Sequence, residues 1–405
     1  MTIEMKNNKN NNCNFPTLRF PEFSGEWKKD IIGNVISVKS EKYNPHSNRT
    51  EFICVELESI SQGTGELLET FNSAEQKSIK NKFSPGTVLF GKLRPYLRKF
   101  YLPYFEGVCS SEIWVMRSNK IEPAFLYSFI QTPYFISLAN QSSGSKMPRA
   151  DWGLIETSKI AYPPNSAERV KIGKFLKLID ERIATQNKII EEYKKLKNAL
   201  AESLYYPKKS QELLKLKGLN SKWEQCFLKD VVENFCRRNK SHIQYPMYSV
   251  TNDLGFVPQS EKFEERTMMG EDISSYKVIN KGDFAYNPAR INVGSIAKYE
   301  GDNPCMISSL YVCFRPKYNI SSEWLQHLLK SQRMIYNYNL FGEGGVRIYL
   351  FFPNFGRIKI SIPPLEEQKK IAAVISTIEQ KISVENFILD KLNTQKSFLL
   401  TKMFI

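Results

Sequence analysis

Apolar and polar positions along this chain follow two periods. Short runs of apolar or β-branched residues bounded by Gly, Pro or Ser predict strands at Thr87–Phe90, Ile113–Met116, Asp283–Tyr286 and Leu310–Phe314. Ala124–Ile130 and Glu323–Leu329 carry apolar residues three and four apart and predict helices. Such mixed elements fill two stretches, 21–165 and 223–365, and each gives way to a much longer helical period. In 166–206 the positions Ile172, Phe175, Leu176, Ile179, Ile183, Ile189, Ile190, Tyr193, Leu196, Leu200 and Leu204 form one stripe. Asn165 and Ser166 are N-cap residues for this helix, Glu168 follows in its first turn, and Pro207 is a stop. In 366–405 the stripe is Ile371, Val374, Ile375, Ile378, Ile382, Ile388, Leu389, Leu392, Leu399 and Met403. About 36 helical residues span roughly 54 Å. Residues 1–20 read as a flexible tail and 207–222 as a polar, basic linker.

The two halves are copies. Gly25-Glu26-Trp27-Lys28-Lys29-Asp30 lies over Ser221-Lys222-Trp223-Glu224-Gln225-Cys226, with the tryptophans 196 positions apart. At the same offset Gly86–Arg94 lies over Gly282–Arg290. Cys109–Val115 then matches Ile307–Val312, and Pro163-Pro164 matches Pro363-Pro364. Along the helices the offset is 199, and even polar interruptions correspond: Gln186 with Glu385, Lys197 with Lys396. An internal repeat of this kind decides the architecture before any single motif does. It predicts a mixed α/β (α+β) fold: two globular domains separated by two long helices that form an antiparallel coiled coil, the whole a pseudo-twofold repeat.

Composition narrows the function. Of 405 residues 41% are hydrophobic, enough for ordinary cores, and 57 Lys+Arg against 42 Asp+Glu give a net charge of +15. Such a balance points to a polyanion, nucleic acid first and an anionic membrane surface second. No apolar run is long enough to span a bilayer, and the first residues lack a signal-peptide core, so the expected location is the cytoplasm. Seven cysteines without a Cys-x-x-Cys pair read as reduced core residues.

Candidate chemistry is sparse. A methyltransferase needs a Gly-rich cofactor loop and an Asn/Asp-Pro-Pro-aromatic tetrapeptide. Tyr162-Pro163-Pro164-Asn165 and Ile362-Pro363-Pro364-Leu365 lack the polar residue before the prolines and the aromatic after them. Phe341-Gly342-Glu343-Gly344-Gly345 follows a helical segment and does not read as a phosphate cradle, and no Gly-Lys-Ser/Thr occurs. Glu192-Tyr193-Lys194 has no Pro-Asp upstream. Three histidines far apart offer no metal site. The reading is therefore a binding protein without catalytic residues or a metal of its own. The candidate DNA-binding residues are basic and polar groups near turns. In the first copy they are Lys39, Lys42, Arg49, Lys92, Arg94, Arg98, Lys146 and Arg149; in the second, Arg237, Arg238, Lys240, Asn287, Arg290, Asn292, Arg347 and Tyr349. Such side chains donate to phosphates and pair with base edges.

Several segments resemble the specificity (S) subunit of type I restriction–modification systems, across nearly the whole chain. Leu18–Trp27 resembles that family's N-terminal opening. Gly91–Lys99 and Gly282–Pro288 resemble segments of its target-recognition domains, and Ile362–Ala372 resembles the start of its helical region. The first copy departs at the last site, with Asn165-Ser166-Ala167-Glu168-Arg169. The resemblance implies two target-recognition domains, each reading half of a bipartite, asymmetric site in double-stranded DNA, with the coiled coil setting their spacing. It also implies two modification (methyltransferase) subunits and restriction (translocase/nuclease) subunits as partners. Those would carry S-adenosylmethionine, ATP and Mg, leaving this chain without a cofactor. A fused restriction–methylation enzyme, or a fragment of one, and a coiled-coil scaffold that does not bind DNA are the alternatives.

Overall fold

The computed structural model describes residues 4–5, 14–47, 50–141, 147–206, 223–259, 273–345 and 347–405. It divides into two compact units, one of residues 1–190 with 385–405, the other of residues 191–384.

In the first unit the strand Lys28–Ile31 pairs antiparallel with Lys159–Tyr162, so the Trp-led entry and the exit before Pro163-Pro164 close on each other. A three-stranded sheet runs in the order Ile113–Met116, Val88–Gly91, Phe100–Tyr101. A five-stranded sheet follows the order Lys42–Tyr43, Lys80–Phe83, Gly107–Cys109, Ile53–Val55, Phe71–Asn72, with one parallel pair, Gly107–Cys109 beside Ile53–Val55. Helices Pro123–Phe129 and Pro133–Ala139 cover the core, the second capped by Thr132 Oγ1, which accepts from Phe135 N. Leu18 and Phe20, inside the stretch expected to be a flexible tail, are buried beside Trp27, because apolar side chains this close to a core gain by joining it.

The second unit repeats the scheme. Glu224–Phe227 pairs with Lys359–Ile362, and a four-stranded sheet runs Val232–Phe235, Val312–Pro316, Phe284–Tyr286, Ile296–Lys298. Helices Ser322–Leu329 and Gln332–Phe341 are capped by Ser321 and Ser331. Gly86 and Gly282, equivalent in the repeat, both adopt φ +87°, which lets the chain turn into the buried strand at each place.

The long helices are Ser166–Tyr205 and Leu365–Lys402. In the first unit the start of one meets the end of the other antiparallel: Gln186 Nε2 donates to Glu385 O (3.0 Å) and Oε2 (2.6 Å), and Lys396 Nζ lies 2.5 Å from Asp180 Oδ1. In the second unit Lys197 Nζ lies 3.3 Å from Glu379 Oε1. Because 180 and 379, and 197 and 396, are each 199 apart, these two ion pairs are one interaction made twice. Leu399, Leu400, Met403 and Phe404 are buried in the first unit's core, and Leu204 and Tyr205 in the second's. The apolar stripe is only partly covered. Ile189 and Leu196 are 37% and 46% exposed, since a 3.6-residue turn drifts off a 3.5-residue seam.

The Pro-Pro junctions show why the first copy tolerates a different sequence. Trp27 Nε1 donates to Glu168 Oε1 (3.3 Å), and Trp223 Nε1 to Glu367 Oε1 (3.1 Å). One residue on, Arg169 Nη1 donates to the carbonyls of Pro163 (2.7 Å) and Pro164 (3.0 Å), while Gln368 Nε2 donates to Pro363 O (2.9 Å). Guanidinium and amide both supply N–H donors to the same carbonyl.

Candidate nucleic-acid interface

The first unit's buried strand Val88–Gly91 runs into Lys92-Leu93-Arg94, and the turn Pro95–Leu97 follows. Arg94 and Arg98, on either side of that turn, have φ +52° and +51°. Left-handed backbone at non-glycine residues costs on the order of 1 kcal/mol or more and gathers at functional loops. Arg94 N donates to Pro148 O and Ala150 N to Lys92 O, both at 2.8 Å, so two loops far apart in sequence lie side by side. Their basic residues share one edge of the unit. Arg94 is exposed, Lys92 half-buried, and Arg149 is 54% exposed with its Nε 3.0 Å from Glu112 Oε2. Arg98 Nη2 donates to Gln131 O (3.2 Å), and burial lowers the pKa of its guanidinium.

The second unit builds the same edge from different residues. Phe284–Tyr286 is wholly buried and leads into Asn287-Pro288-Ala289-Arg290. Asn287 Oδ1 accepts from Ala289 N, and Asn287 O from Arg290 N, each at 3.0 Å, which folds the turn. Leu350 N donates to Pro288 O at 3.0 Å, the counterpart of the bond from Ala150 to Lys92. Arg290, Arg347 and Tyr349 are exposed on this edge, and Asn292 Nδ2 donates to Asn339 Oδ1 (3.3 Å).

The remaining candidates lie on other elements. Lys39 is exposed ahead of Lys42, whose Nζ donates to Asn81 Oδ1 (2.6 Å) in the five-stranded sheet. Arg238, 196 positions later, bridges Lys277 in the same register. Arg237 Nη1 lies 3.4 Å from Asp283 Oδ2, and Lys240 is exposed. Arg49 and Lys146 fall outside the described residues. Sequence reasoning missed three orienting or companion groups: Glu112, which holds Arg149; Asp283, which is buried; and Arg315, whose Nη2 lies 3.5 Å from Asp283 Oδ1. Asp283 directly follows the turn glycine at the head of a buried strand, a signal that was available. Arg315 sits in an apolar run and gave none.

Each edge thus offers cations, amides and, in the second unit, a phenol on loops held by backbone bonds, a set suited to phosphates and base edges. Among the described residues no three His, Cys, Asp or Glu side chains are placed to hold a metal ion, and no helix is long and apolar enough to cross a membrane. Cys54, Cys109, Cys305 and Cys313 are buried, and burial pushes the Cys54, Cys305 and Cys313 thiols up to about 12. Cys226 is half-buried and Cys236 exposed, and Cys13 lies outside the described residues.

The model of the type I restriction modification DNA specificity domain matches twice, over residues 24–195 and 220–394. The chain belongs to this family. Each match takes in one recognition unit's strands and loops and most of the helix that follows. Among relatives, the MjaVIII type I restriction enzyme specificity subunit of Methanocaldococcus jannaschii is 26% identical over 69% of this chain and 69% of its own. The EcoDI specificity subunit of Escherichia coli is 24% identical over 40% of this chain and 39% of its own. A solved S subunit of a type I restriction–modification system from M. genitalium superposes with TM-score 0.56 at 17% identity, covering 96% of this chain and 99% of that one. A chain from a study of complex assembly and conformational transition of the type I R-M system superposes with TM-score 0.57 at 19% identity, covering 93% and 97%. This specificity subunit therefore carries its DNA-recognition domain twice, and the edge formed by Lys92–Arg98 with Met147–Ala150 recurs in the second copy.

Proposed function

We propose that each recognition unit reads one half of a bipartite, asymmetric DNA target, and that the paired helices set the number of base pairs between the halves. The observation that carries this is the twice-built loop edge. The backbone bond is the same in both units and Arg94 corresponds to Arg290, while the facing loop differs: Met147 and Arg149 in one, Arg347 and Tyr349 in the other. A conserved frame with different side chains is what an asymmetric target requires.

On this reading the chain is not catalytic and holds no cofactor. Two modification subunits would dock on it and supply S-adenosylmethionine and methyl transfer; restriction subunits would supply ATP-driven cleavage with Mg; and the complex would work in the cytoplasm. The absence of a tetrapeptide of the methyltransferase kind in the sequence supports that division. The test is to map methylated positions in the source genome with and without this gene, then with residues 25–160 replaced by a relative's equivalent domain. One half of the motif should change and the other persist. A swap that altered both halves would defeat the two-reader model, and methyl transfer by the purified chain alone would defeat the non-catalytic one.

A further inference from the structure

The repeat lets the two recognition units be compared position by position, and one face differs in kind. In the second unit the Tyr349 and Phe351 rings stand parallel, centroids 6.3 Å apart and planes 10° apart, and they are 38% and 52% exposed. The residues 200 positions earlier are Arg149 and Asp151. On the helix Gln332–Phe341, Tyr336 and Leu340 are 66% and 63% exposed, where the first unit has Ser137 and Gln141, 199 positions earlier. Asn339 lies between Tyr336 and Leu340 on that helix face, and its bond to Asn292 ties the face to the Arg290 turn. Leu350, between the two rings in sequence, is bonded to Pro288 of the same turn. The aromatic loop and the apolar helix face therefore both adjoin one recognition edge.

Large apolar side chains gathered on one exposed face mark a surface that meets something. What borders them identifies the partner's chemistry. Arg290 and Arg347 are exposed beside the aromatics, and Asn292 and Asn339 supply amides. The carboxylate alongside, Glu343, is engaged by Asn354 Nδ2 at 2.6 Å. A cationic, amide-bearing rim around an aromatic centre complements a polyanion with flat or methyl-bearing apolar groups inside it, and DNA is such a molecule.

We propose that the second unit reads its half-site partly by apolar contact, with Tyr349, Phe351 and the Tyr336 helix face packed against DNA bases, a contact the first unit cannot make at those positions, where it carries Arg149, Asp151, Ser137 and Gln141. The inference rests on the DNA-reading function proposed above.

The experiment uses the full-length chain. Wild type first enriches a duplex from a random-sequence pool; its binding to that duplex is then titrated between 50 and 200 mM salt beside Phe351→Ser, Phe351→Leu and Tyr336→Ser. Apolar contacts release few counterions, so Phe351→Ser should weaken binding about tenfold while leaving the slope of log affinity against log salt unchanged. Discrimination should relax in one half-site only, and Phe351→Leu should recover most of the loss. Tyr336→Ser, on an exposed helix face, gives the same readout if Phe351→Ser misfolds. Variants that melt like wild type and bind the duplex equally well would overturn the proposal. So would variants that keep DNA affinity but no longer co-purify with the modification subunits, since the face would then belong to a protein. A wild-type chain that enriches no sequence would defeat the DNA-reading function itself, and this inference with it.

Discussion

One ion pair occurs twice in this molecule at two depths, and the difference decides its worth. Lys396 and Asp180 are 10% and 13% exposed, whereas Lys197 and Glu379 are 32% and 40% exposed. Burial raises the Asp180 pKa despite the ammonium beside it. Lys396→Met leaves that carboxylate without its partner and should cost about 3–5 kcal/mol. Lys197→Met should cost no more than about 1 kcal/mol. Thermal unfolding of the two variants under one buffer measures the contrast, and equal losses would refute it. A second residue tests the opposite sign. Tyr286 is fully buried with its hydroxyl unpartnered among the described residues, and the first unit has Phe90 at that position. Tyr286→Phe should leave stability unchanged or raise it by about 1 kcal/mol, read from a urea titration. Neither expectation was available from composition. The pairing of Lys197 with Lys396 in the repeat was legible, but which copy lies deeper depends on what packs over it.

Elements were more legible than their partners. The strand read at Ile113–Met116 is found there, that at Thr87–Phe90 lies one residue later, that at Asp283–Tyr286 begins one residue later, and that at Leu310–Phe314 lies two residues later, because local crowding of apolar side chains both signals and makes a strand. What periodicity could not give was adjacency: that Arg94 lies beside Pro148, or that Arg98 turns back to Gln131, follows from tertiary packing alone. The same holds for the helix Ser322–Leu329, whose His327 is buried against the C-terminal helix. Its Nε2 lies 2.9 Å from Ser376 Oγ and its Nδ1 3.6 Å from Glu379 Oε2, with Lys197, Lys330 and Glu323 nearby. Burial lowers its pKa below the usual 6.5, with Lys197 and Lys330 adding to the effect against the pull of Glu379. The folded state then binds this proton less readily than the unfolded chain. Stability from this residue is intact above pH 6.5 and is lost as pH falls through it. Between pH 7.5 and 5.5 the melting temperature of His327→Gln should therefore fall less than that of wild type. An equal or steeper fall would show that His327 is not the group responsible.

At the scale of the whole molecule the excess of 15 positive charges and the loop arginines should make DNA binding steeply dependent on salt. Arg290→Ala should reduce the slope of log affinity against log salt by about one if it holds a phosphate, and leave the slope unchanged while relaxing one base if it reads an edge. Affinity indifferent to salt between 50 and 200 mM would contradict both. The division into units has a different consequence, for the order of assembly. Trp27 and Phe125 lie 6.4 and 5.2 Å from the Phe404 ring, so the unit begun first in synthesis is sealed by residues made after all of the second unit. At the ordinary pace of roughly 5–20 residues per second, the gap from residue 190 to residue 404 lasts on the order of 10–40 s. Throughout that interval the first core is open where Leu399, Leu400, Met403 and Phe404 will sit, whereas the second unit, continuous from 191 to 384, needs nothing made after it to close. A released chain truncated after residue 390 should therefore show a protease-resistant second unit and a first unit that chaperones still bind.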